Sequence, residues 1–470
     1  MPRQTGRRRS RPVEVTSVKA GPLGDARFVV QIGALATGSI RDVHDSDVRG
    51  AVEVVVALLG ALTLIAFVVR WVRLPLSVAL VSFGLLVAAI APARFTISPN
   101  VVLTALVPGL VFEAAFRLHL ADLQRIVGRT ILLAIPGVLL VAAIVAMVLH
   151  VAAGLPLGTA FVVGAVVSAT DPVAVVASMR DAAAPRRLAT IVEAESLFND
   201  GTGILLFTIA LGSLHASVNP IAQSSAFVVA IVASLALGAA TGFLASRLTA
   251  LVDDYLLELT LTVLLAYGTY LLADNLGQSG IIATVTAGIV LGSYGRRIGM
   301  SARTQRAVDV VWEFVAFVLT ALVFLLIGLT SSLGELTAAA APIAWGVIAI
   351  YAGRIVVVYG LLGGLRLLSQ RLPMRARRGS EWTLLGQMPL GWLHVVFWSG
   401  LRGAVAFALA LALPLDVPDR GLLQGTIFGI VLFTLLVQGT SARRVIAWAG
   451  VATSRTGDSH PHTEPTSQQE

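Results

Sequence analysis

Long apolar segments recur along most of the chain, separated by short polar connections. Each is roughly 18–28 residues long, and an α-helix needs about this length to cross a hydrocarbon layer of ~30 Å. Most are apolar on every side, which is typical of helices that contact lipid and one another. The pattern predicts an all-α polytopic membrane protein with about thirteen transmembrane helices, near residues 50–70, 74–92, 99–118, 128–152, 157–179, 189–214, 225–246, 255–274, 279–296, 308–330, 340–366, 388–413 and 421–448.

Both ends of the chain differ in composition from this apolar middle. Residues 1–48 are rich in Arg, Ser, Asp and Gly, and residues 450–470 are similarly polar. Such segments bury too little apolar surface to offset the entropy of folding. We predict a disordered basic N-terminal tail over 1–48, a transmembrane domain over 49–449 and a short disordered C-terminal tail over 450–470.

The composition excludes a soluble enzyme. Hydrophobic residues make up 56% of the chain and charged residues only 13%, against about 25% charged in an average soluble domain. The absence of cysteine excludes disulfides, thiolate metal sites and thiol catalysis. In such an apolar chain the net charge of +8 indicates membrane topology rather than a nucleic-acid partner.

Arginines are concentrated in alternate connections between the apolar segments. With the C-terminal side, these connections hold 21 arginines, whereas the opposite connections hold only Arg94 and Arg420. Cytoplasmic loops carry the excess of basic residues. This predicts a cytoplasmic C-terminus in the cell (inner) membrane and, with an odd number of helices, an N-terminus outside. The segment before the first predicted span, residues 1–49, carries eight arginines and Lys19, which argues against that placement of the N-terminus.

A few charged residues lie deep within the apolar segments. Each costs at least ~2.5–3.5 kcal/mol on membrane-insertion scales, so such residues usually face a cavity and mark an ion pathway. They are Asp171, Glu195, Asp200, Arg354 and Arg402. Glu113, Glu258 and Glu313 lie nearer the ends of their segments, where we expect structural pairing or contact with water.

Pro172 follows Asp171 inside an apolar segment. Proline removes one backbone N–H and clashes with the carbonyl four residues earlier, which here belongs to Ser168. A break there frees backbone carbonyls beside a carboxylate and the Thr170 hydroxyl, as in the substrate sites of secondary transporters. The alternative is a simple proline kink in which Asp171 caps the start of a helix.

The next segment brings further oxygen atoms to a similar depth. Helical spacing places Glu193, Ser196 and Asp200 on one face, and Glu195 and Asn199 on a neighbouring stripe. At ~1.5 Å per residue, Asp200 lies roughly 16 Å and Asp171 roughly 21 Å from the start of their segments, which run in opposite directions. Carboxylate, hydroxyl and carbonyl oxygens together suit a small dehydrated cation.

Asp200 has two possible partners. Removal from water favours the protonated form of a carboxylate, whereas a cation beside it favours the charged form. A proton and a cation therefore compete for Asp200, which couples their movements. The structural alternative is that Asp200 simply pairs with an arginine. Arg354 has Glu195 as its natural partner, and Arg402 stands between Gly400 and Gly403, which permit a helix break.

Four stretches of the sequence resemble motifs of the cation:proton antiporter 1 family, the prokaryotic relatives of animal sodium/proton exchangers. They are Phe112-Glu113-Ala114-Ala115-Phe116-Arg117-Leu118, Ala169-Thr170-Asp171-Pro172, Glu195-Ser196-Leu197-Phe198-Asn199-Asp200 and Gly400-Leu401-Arg402-Gly403-Ala404. The resemblance covers roughly residues 50–448. It implies two inverted six-helix repeats, crossed broken helices in the fifth and twelfth spans, a core and a dimerisation domain, and elevator-like alternating access.

The resemblance also implies roles for individual residues. Asp200 resembles the ion- and proton-binding aspartate, and Asn199 its neighbour in electroneutral exchangers. Thr170, Asp171, Ser196 and, through water, Glu195 resemble the rest of the ion site, with Asp200, Asp171, Thr170 and Ser196 contacting Na⁺. Glu195 and Arg354 resemble a structural ion pair, and Arg402 resembles the arginine of the second broken helix.

We therefore expect a Na⁺(Li⁺)/H⁺ antiporter that is not an enzyme. It would act as a homodimer in the lipid bilayer, exchange one cation for one proton, and use no cofactor. K⁺/H⁺ exchange on the same scaffold is the nearest alternative. A hydrolase with Asp171 and Asp200 as a catalytic dyad, or a passive cation channel, are more distant alternatives.

Overall fold

The computed structural model describes residues 45–72, 74–90, 101–118, 120–124, 126–215, 220–364, 366–367 and 388–451. Regular structure within these ranges is helical throughout, which confirms the predicted all-α class. The chain divides into two compact units, Met1–Leu58 and Leu59–Glu470, and every residue of the site belongs to the second. The predicted tails over 1–48 and 450–470 lie almost entirely outside the described residues.

The helices are numbered here in chain order. They are α1 (Asp45–Val72), α2 (Leu76–Ile90), α3 (Val107–Arg117), α4 (Leu120–Gln124), α5 (Val127–Ala153), α6 (Leu157–Ser168), α7 (Val173–Asp181), α8 (Arg186–His215), α9 (Pro220–Thr249), α10 (Tyr255–Asn275), α11 (Gly280–Val290), α12 (Ala302–Thr330), α13 (Leu333–Ala338), α14 (Ala340–Leu362), α15 (Leu390–Trp398), α16 (Ala404–Leu411) and α17 (Arg420–Trp448). Short π-helical stretches precede α3 at Val101–Leu106 and follow α11 at Leu291–Gly295.

Eight segments of the described chain are long and apolar enough to cross a membrane. Each coincides with one of the thirteen predicted spans, although α12 begins at Ala302, where Ser301 caps it, rather than at 308. Of the other five predicted spans, 50–70 lies within the continuous helix α1, and the remaining four contain helices that are shorter or interrupted, such as α2 and the pair α15 and α16. The number thirteen therefore remains a prediction.

The two helices that flank the break at Pro172 lie in the interior. In the most apolar window of Leu157–Asp181, 78% of the residues are buried, compared with 22% for Ser225–Thr249. The apolar outer face of α9 therefore suits contact with lipid, whereas α6 and α7 are surrounded by protein. Broken backbone is tolerated at membrane depth only in such protected surroundings.

Small residues allow the helices to approach closely, as in other membrane proteins. A side chain at Gly84 of α2 would meet backbone atoms of Leu325, Gly328 and Leu329 in α12 at 2.6–2.9 Å. Gly292 approaches Phe116 in α3 through its backbone in the same way. These contacts hold α2 and α3, which line the cavity described below, against α12 and the end of α11.

We expect Gly84→Ala to destabilise the protein by about 1–3 kcal/mol, because the added methyl group meets backbone rather than a flexible side chain. Thermal unfolding in detergent micelles, followed by intrinsic fluorescence, measures the effect. Gly60→Ala in α1 is the matched control, since an added methyl group meets nothing within 4 Å there. Equal melting temperatures for the two variants would contradict the proposed contact.

Candidate ion-binding site

The first break in the core separates α6 from α7. Helix α6 ends at Ser168, Ala169 is extended with φ −64° and ψ 141°, and α7 begins at Val173, directly after Pro172. The interruption falls where the proline was expected to place it. Thr170 and Asp171 consequently lie in non-helical backbone, with their peptide groups free to bond elsewhere.

A second break, between α15 and α16, crosses the first. Helix α15 ends at Trp398 and α16 begins at Ala404, so residues 399–403 are non-helical. The backbone N–H of Asp171 donates to the carbonyl of Leu401 at 2.7 Å. Gly403 lies so close to Asp171 that a side chain there would overlap the carboxylate. The two broken helices are thus joined at their interruptions.

The Asp171 carboxylate lies at the N-terminal ends of two half-helices. Oδ1 accepts from the N–H of Val173 at 3.1 Å, at the start of α7. Oδ2 accepts from the N–H of Ala404 at 3.3 Å, at the start of α16. Helix N-termini carry partial positive charge, so one aspartate offsets two of them. Asp171 therefore caps the start of α7, as the alternative of a simple proline kink also predicted. The helix is nevertheless fully interrupted here and not merely kinked.

Arginines lie at the C-terminal ends of the two partner half-helices. Arg402 donates from Nε to the carbonyl of Val167 in the last turn of α6, and from Nη1 to Gly400. Arg354 donates from Nη2 to the carbonyl of Val396 in the last turn of α15. Helix C-termini carry partial negative charge, so both guanidiniums are favourably placed.

Arg354 also forms a buried ion pair with Glu195 of α8. Their side chains are only 4% and 3% exposed. The pair links α8 to α14, and through Val396 to α15. Glu195 is consequently engaged by an arginine and does not line the cavity.

Helix α8 holds the first break through polar contacts with Thr170. Asn199 accepts from the backbone N–H of Thr170 at 3.2 Å and donates to its hydroxyl at 2.7 Å. The hydroxyl of Ser196 donates to the Thr170 carbonyl at 2.5 Å. These bonds replace helical ones that the break removes, as buried backbone groups require. They also fix the position of α8 relative to Asp171.

A cavity of about 470 Å³ reaches these groups. Asp200, Asp171, Thr170 and Ser196 line it, together with Gly403. Asp200 is half-buried, and no described residue forms a hydrogen bond or ion pair with its carboxylate. Asp171 is near enough for the two negative charges to repel each other. The alternative that Asp200 pairs with an arginine is therefore wrong for the described part of the chain.

Five further charged residues line the cavity. Arg117 pairs with Glu113 and lies 3.6 Å from Glu313, and Arg180 pairs with Glu193 at 3.1 Å. Glu113 and Glu313 thus have the paired arrangement expected from their position near helix ends.

The two stripes predicted on α8 face different surroundings. Glu193, Ser196 and Asp200 line the cavity, whereas Glu195 and Asn199 point to Arg354 and Thr170. The structure thus brings the predicted oxygen ligands together and places the other two in supporting contacts. Whether these residues bind an ion stays a prediction.

Two contacts of the site were not predicted from the sequence. Thr434 of α17 accepts from the backbone N–H of Arg402 at 3.1 Å. Nothing distinguishes this threonine from the many other hydroxyl residues in apolar segments. The bond from Ala404 to Asp171 was also missed, although Gly403 signals a close backbone approach.

Glu258 is fully buried away from the cavity, where it accepts from the Thr304 hydroxyl at 3.2 Å.

Comparison with known protein families identifies this architecture. The family model described as "Sodium/hydrogen exchanger, transmembrane" matches residues 54–448. The chain belongs to the sodium/hydrogen exchanger family. It is therefore a multi-pass membrane protein of a transporter family, in agreement with the resemblance noted from its motifs.

Several relatives share most of their length with this chain. It is 36% identical over 404 residues to the Na⁺/H⁺ antiporter ApNhaP of Aphanothece halophytica, covering 84% of this chain and 74% of the relative. It is 33% identical over 432 residues to the Na⁺/H⁺ antiporter NhaP of Pseudomonas aeruginosa, covering 84% and 97%. The structure of the sodium proton antiporter MjNhaP1 of Methanocaldococcus jannaschii aligns with a TM-score of 0.68 at 19% identity, covering 86% of this chain and 99% of that one, which shows a shared fold.

We expect Glu195→Gln and Arg354→Met each to cost about 3–5 kcal/mol of stability, because each leaves an unpaired buried charge. The double variant should lose much less than the sum, since no charge is then left alone. Thermal unfolding of the four proteins in detergent gives the coupling energy. The half-exposed pair Arg180 and Glu193 is the matched control, and the same Met and Gln changes there should give little coupling. Additive losses at Glu195 and Arg354 would contradict the ion pair.

Proposed function

We propose that this protein exchanges Na⁺ for H⁺ by competition of the two ions for Asp200. The supporting observation is the position of Asp200 in the cavity, beside Asp171 and without a hydrogen-bond donor among the described residues. Its negative charge has to be offset by an ion that enters through the cavity. A proton and a monovalent cation are the two candidates, and one carboxylate oxygen site does not hold both.

Four oxygen-bearing residues that line the cavity form the proposed cation site. Asp200 and Asp171 supply carboxylates, Ser196 a hydroxyl, and Thr170 backbone and side-chain oxygens. Hard oxygen donors of this kind suit small hard cations. Asn199 and Glu195 act indirectly in this proposal: Asn199 holds Thr170, and Glu195 fixes α8 against Arg354.

The buried charges support exchange of one cation for one proton. Asp171, Glu195 and Asp200 are three carboxylates, and Arg354 and Arg402 are two guanidiniums. When all are charged, they leave one net negative charge. One proton or one monovalent cation neutralises the set, so each form of the loaded protein has the same net charge. Exchange of one for the other moves no net charge across the membrane.

Alternating access follows from the same arrangement. Arg117 and Arg180, which line the cavity, belong to the arginine-rich side of the chain, which positive-inside logic places in the cytoplasm. We infer that the cavity opens to the cytoplasm, that the C-terminus is cytoplasmic and the N-terminus outside, and that the protein functions as a homodimer in the cell membrane. Movement of the crossed helices as a unit would then expose Asp200 to the other side.

Other functions fit the site less well. K⁺/H⁺ exchange is not favoured, because the relatives are named Na⁺/H⁺ antiporters. A hydrolytic dyad needs two carboxyls available to a water molecule, whereas both oxygens of Asp171 accept backbone N–H bonds. A passive channel would not require a lone carboxylate that alternates between two ions.

We expect Asp200→Asn to reduce Na⁺-driven and Li⁺-driven proton movement to the rate of protein-free vesicles, because an amide neither releases a proton nor attracts a cation. Everted vesicles or proteoliposomes with a pH-sensitive dye measure the rate, with Na⁺, Li⁺ and K⁺ tested in parallel. Asp253→Asn is the matched control, since this exposed aspartate lies outside the cavity. Native exchange by a correctly folded Asp200→Asn protein would refute the proposal.

We expect the rate of Na⁺/H⁺ exchange in proteoliposomes to be unaffected by a membrane potential clamped with K⁺ and valinomycin. The physical reason is the equal net charge of the two loaded forms. The measurement compares initial rates of proton movement at zero and at inside-negative potential, with the pH gradient held constant. A rate that changes steeply with potential would indicate unequal numbers of cations and protons.

A further inference from the structure

Among the residues that the structure describes, Arg129 in the first turn of α5 is a buried cation without a partner. The residue is 2% exposed, and its Nε and Nη2 atoms have no hydrogen-bond acceptor. Among the described residues no carboxylate forms an ion pair with it, and the nearby charge that acts on it is that of Arg187. It takes no part in the ion-binding site and does not line the cavity.

Arg187 is a second positive charge, on a helix that packs against the start of α5. It lies at the start of α8, against which α4 and the first turn of α5 pack. Arg187 is exposed, and so is Gly128, the neighbour of Arg129. The pair therefore has one buried member and one member that is open to the surroundings.

Burial of an unpaired ion is costly, and the positive charge of Arg187 adds to that cost for Arg129. Fixed arginines without acidic partners are typical of sites that bind phosphate groups, because the planar guanidinium donates two parallel hydrogen bonds to phosphate oxygens. Each of the two free donor atoms of Arg129 needs such an acceptor. An anion would supply both the acceptor oxygens and the missing negative charge.

The position along the membrane normal suggests where that phosphate comes from. Val127 begins one candidate span and Arg186 begins another, so Arg129 and Arg187 lie at the ends of two adjacent spans. Span ends lie at the level of lipid headgroups, where basic pockets between helices bind anionic lipids. We propose that Arg129 and Arg187 form a binding site for a phosphate-bearing anion, supplied by an anionic phospholipid headgroup or by free phosphate.

Such a site has a direct structural consequence. The anion would hold the start of α8 against α5, and α8 carries Ser196, Asn199 and Asp200 further along. It would therefore stabilise the helix on which the proposed exchange site depends. Binding itself does not require that exchange, so the two proposals can fail independently.

The test is thermal unfolding of the purified full-length protein in neutral detergent, with additions of phosphatidylglycerol, phosphatidylcholine or inorganic phosphate. A ligand of the folded state raises the melting temperature with its concentration. We expect phosphatidylglycerol to raise the melting temperature of the native protein, and phosphatidylcholine to have no such effect. Both Arg129→Gln and Arg187→Gln should lose most of the shift. Native mass spectrometry should show retained phosphatidylglycerol on the native protein and less on both variants.

Arg306→Gln is the matched control, because it removes an equal charge from an arginine that bonds the carbonyl of Ala302 on α12. This variant should keep the full shift. A shift with inorganic phosphate that also depends on Arg129 would identify free phosphate as the source. If Arg129→Gln does not fold, Arg187→Gln decides, since its side chain is exposed. Equal shifts in Arg187→Gln, Arg306→Gln and the native protein would overturn the proposal.

Discussion

The structure of the core depends on the charges placed at the ends of four half-helices. Interrupting two helices inside a membrane exposes backbone groups and helix dipoles that water would otherwise satisfy. Here Asp171 accepts bonds from the N-terminal ends of α7 and α16. Arg402 and Arg354 donate to the C-terminal ends of α6 and α15. Opposite charges thus meet opposite dipole ends at the crossing.

This arrangement also explains why the two aspartates of the cavity differ. Both carboxylate oxygens of Asp171 accept hydrogen bonds from backbone N–H groups, so its negative charge stabilises the two helix ends. Asp200, in α8, has no such donor among the described residues. In the proposed exchange, Asp200 is the carboxylate that is free to change partners, while Asp171 keeps the broken helices together and contributes oxygen to the cation.

The sequence predicted the parts of this core that depend on local chemistry. Pro172 forces the first break, and helical spacing separates the cavity stripe of α8 from the stripe of Glu195 and Asn199. Glu195 was also correctly predicted as the partner of Arg354. What escaped prediction depends on contacts between distant segments. The approach of Gly403 to Asp171 and the bond from Arg402 to Thr434 join residues more than thirty positions apart, and no periodic pattern encodes such pairings. Broken and short helices carry weak hydropathy signals, so hydropathy alone does not determine the number of spans.

The balance of buried charge gives a physical reason for obligatory coupling in the proposed exchange. With Asp200 ionised and no cation bound, the site carries one uncompensated negative charge, and moving such a charge through a low-dielectric interior is costly. With either a proton or Na⁺ bound, the same residues are neutral as a group. The loaded forms therefore cross between the two orientations more readily than the empty form. Tight coupling requires only this difference, because a protein that returns empty would dissipate the gradient that drives it.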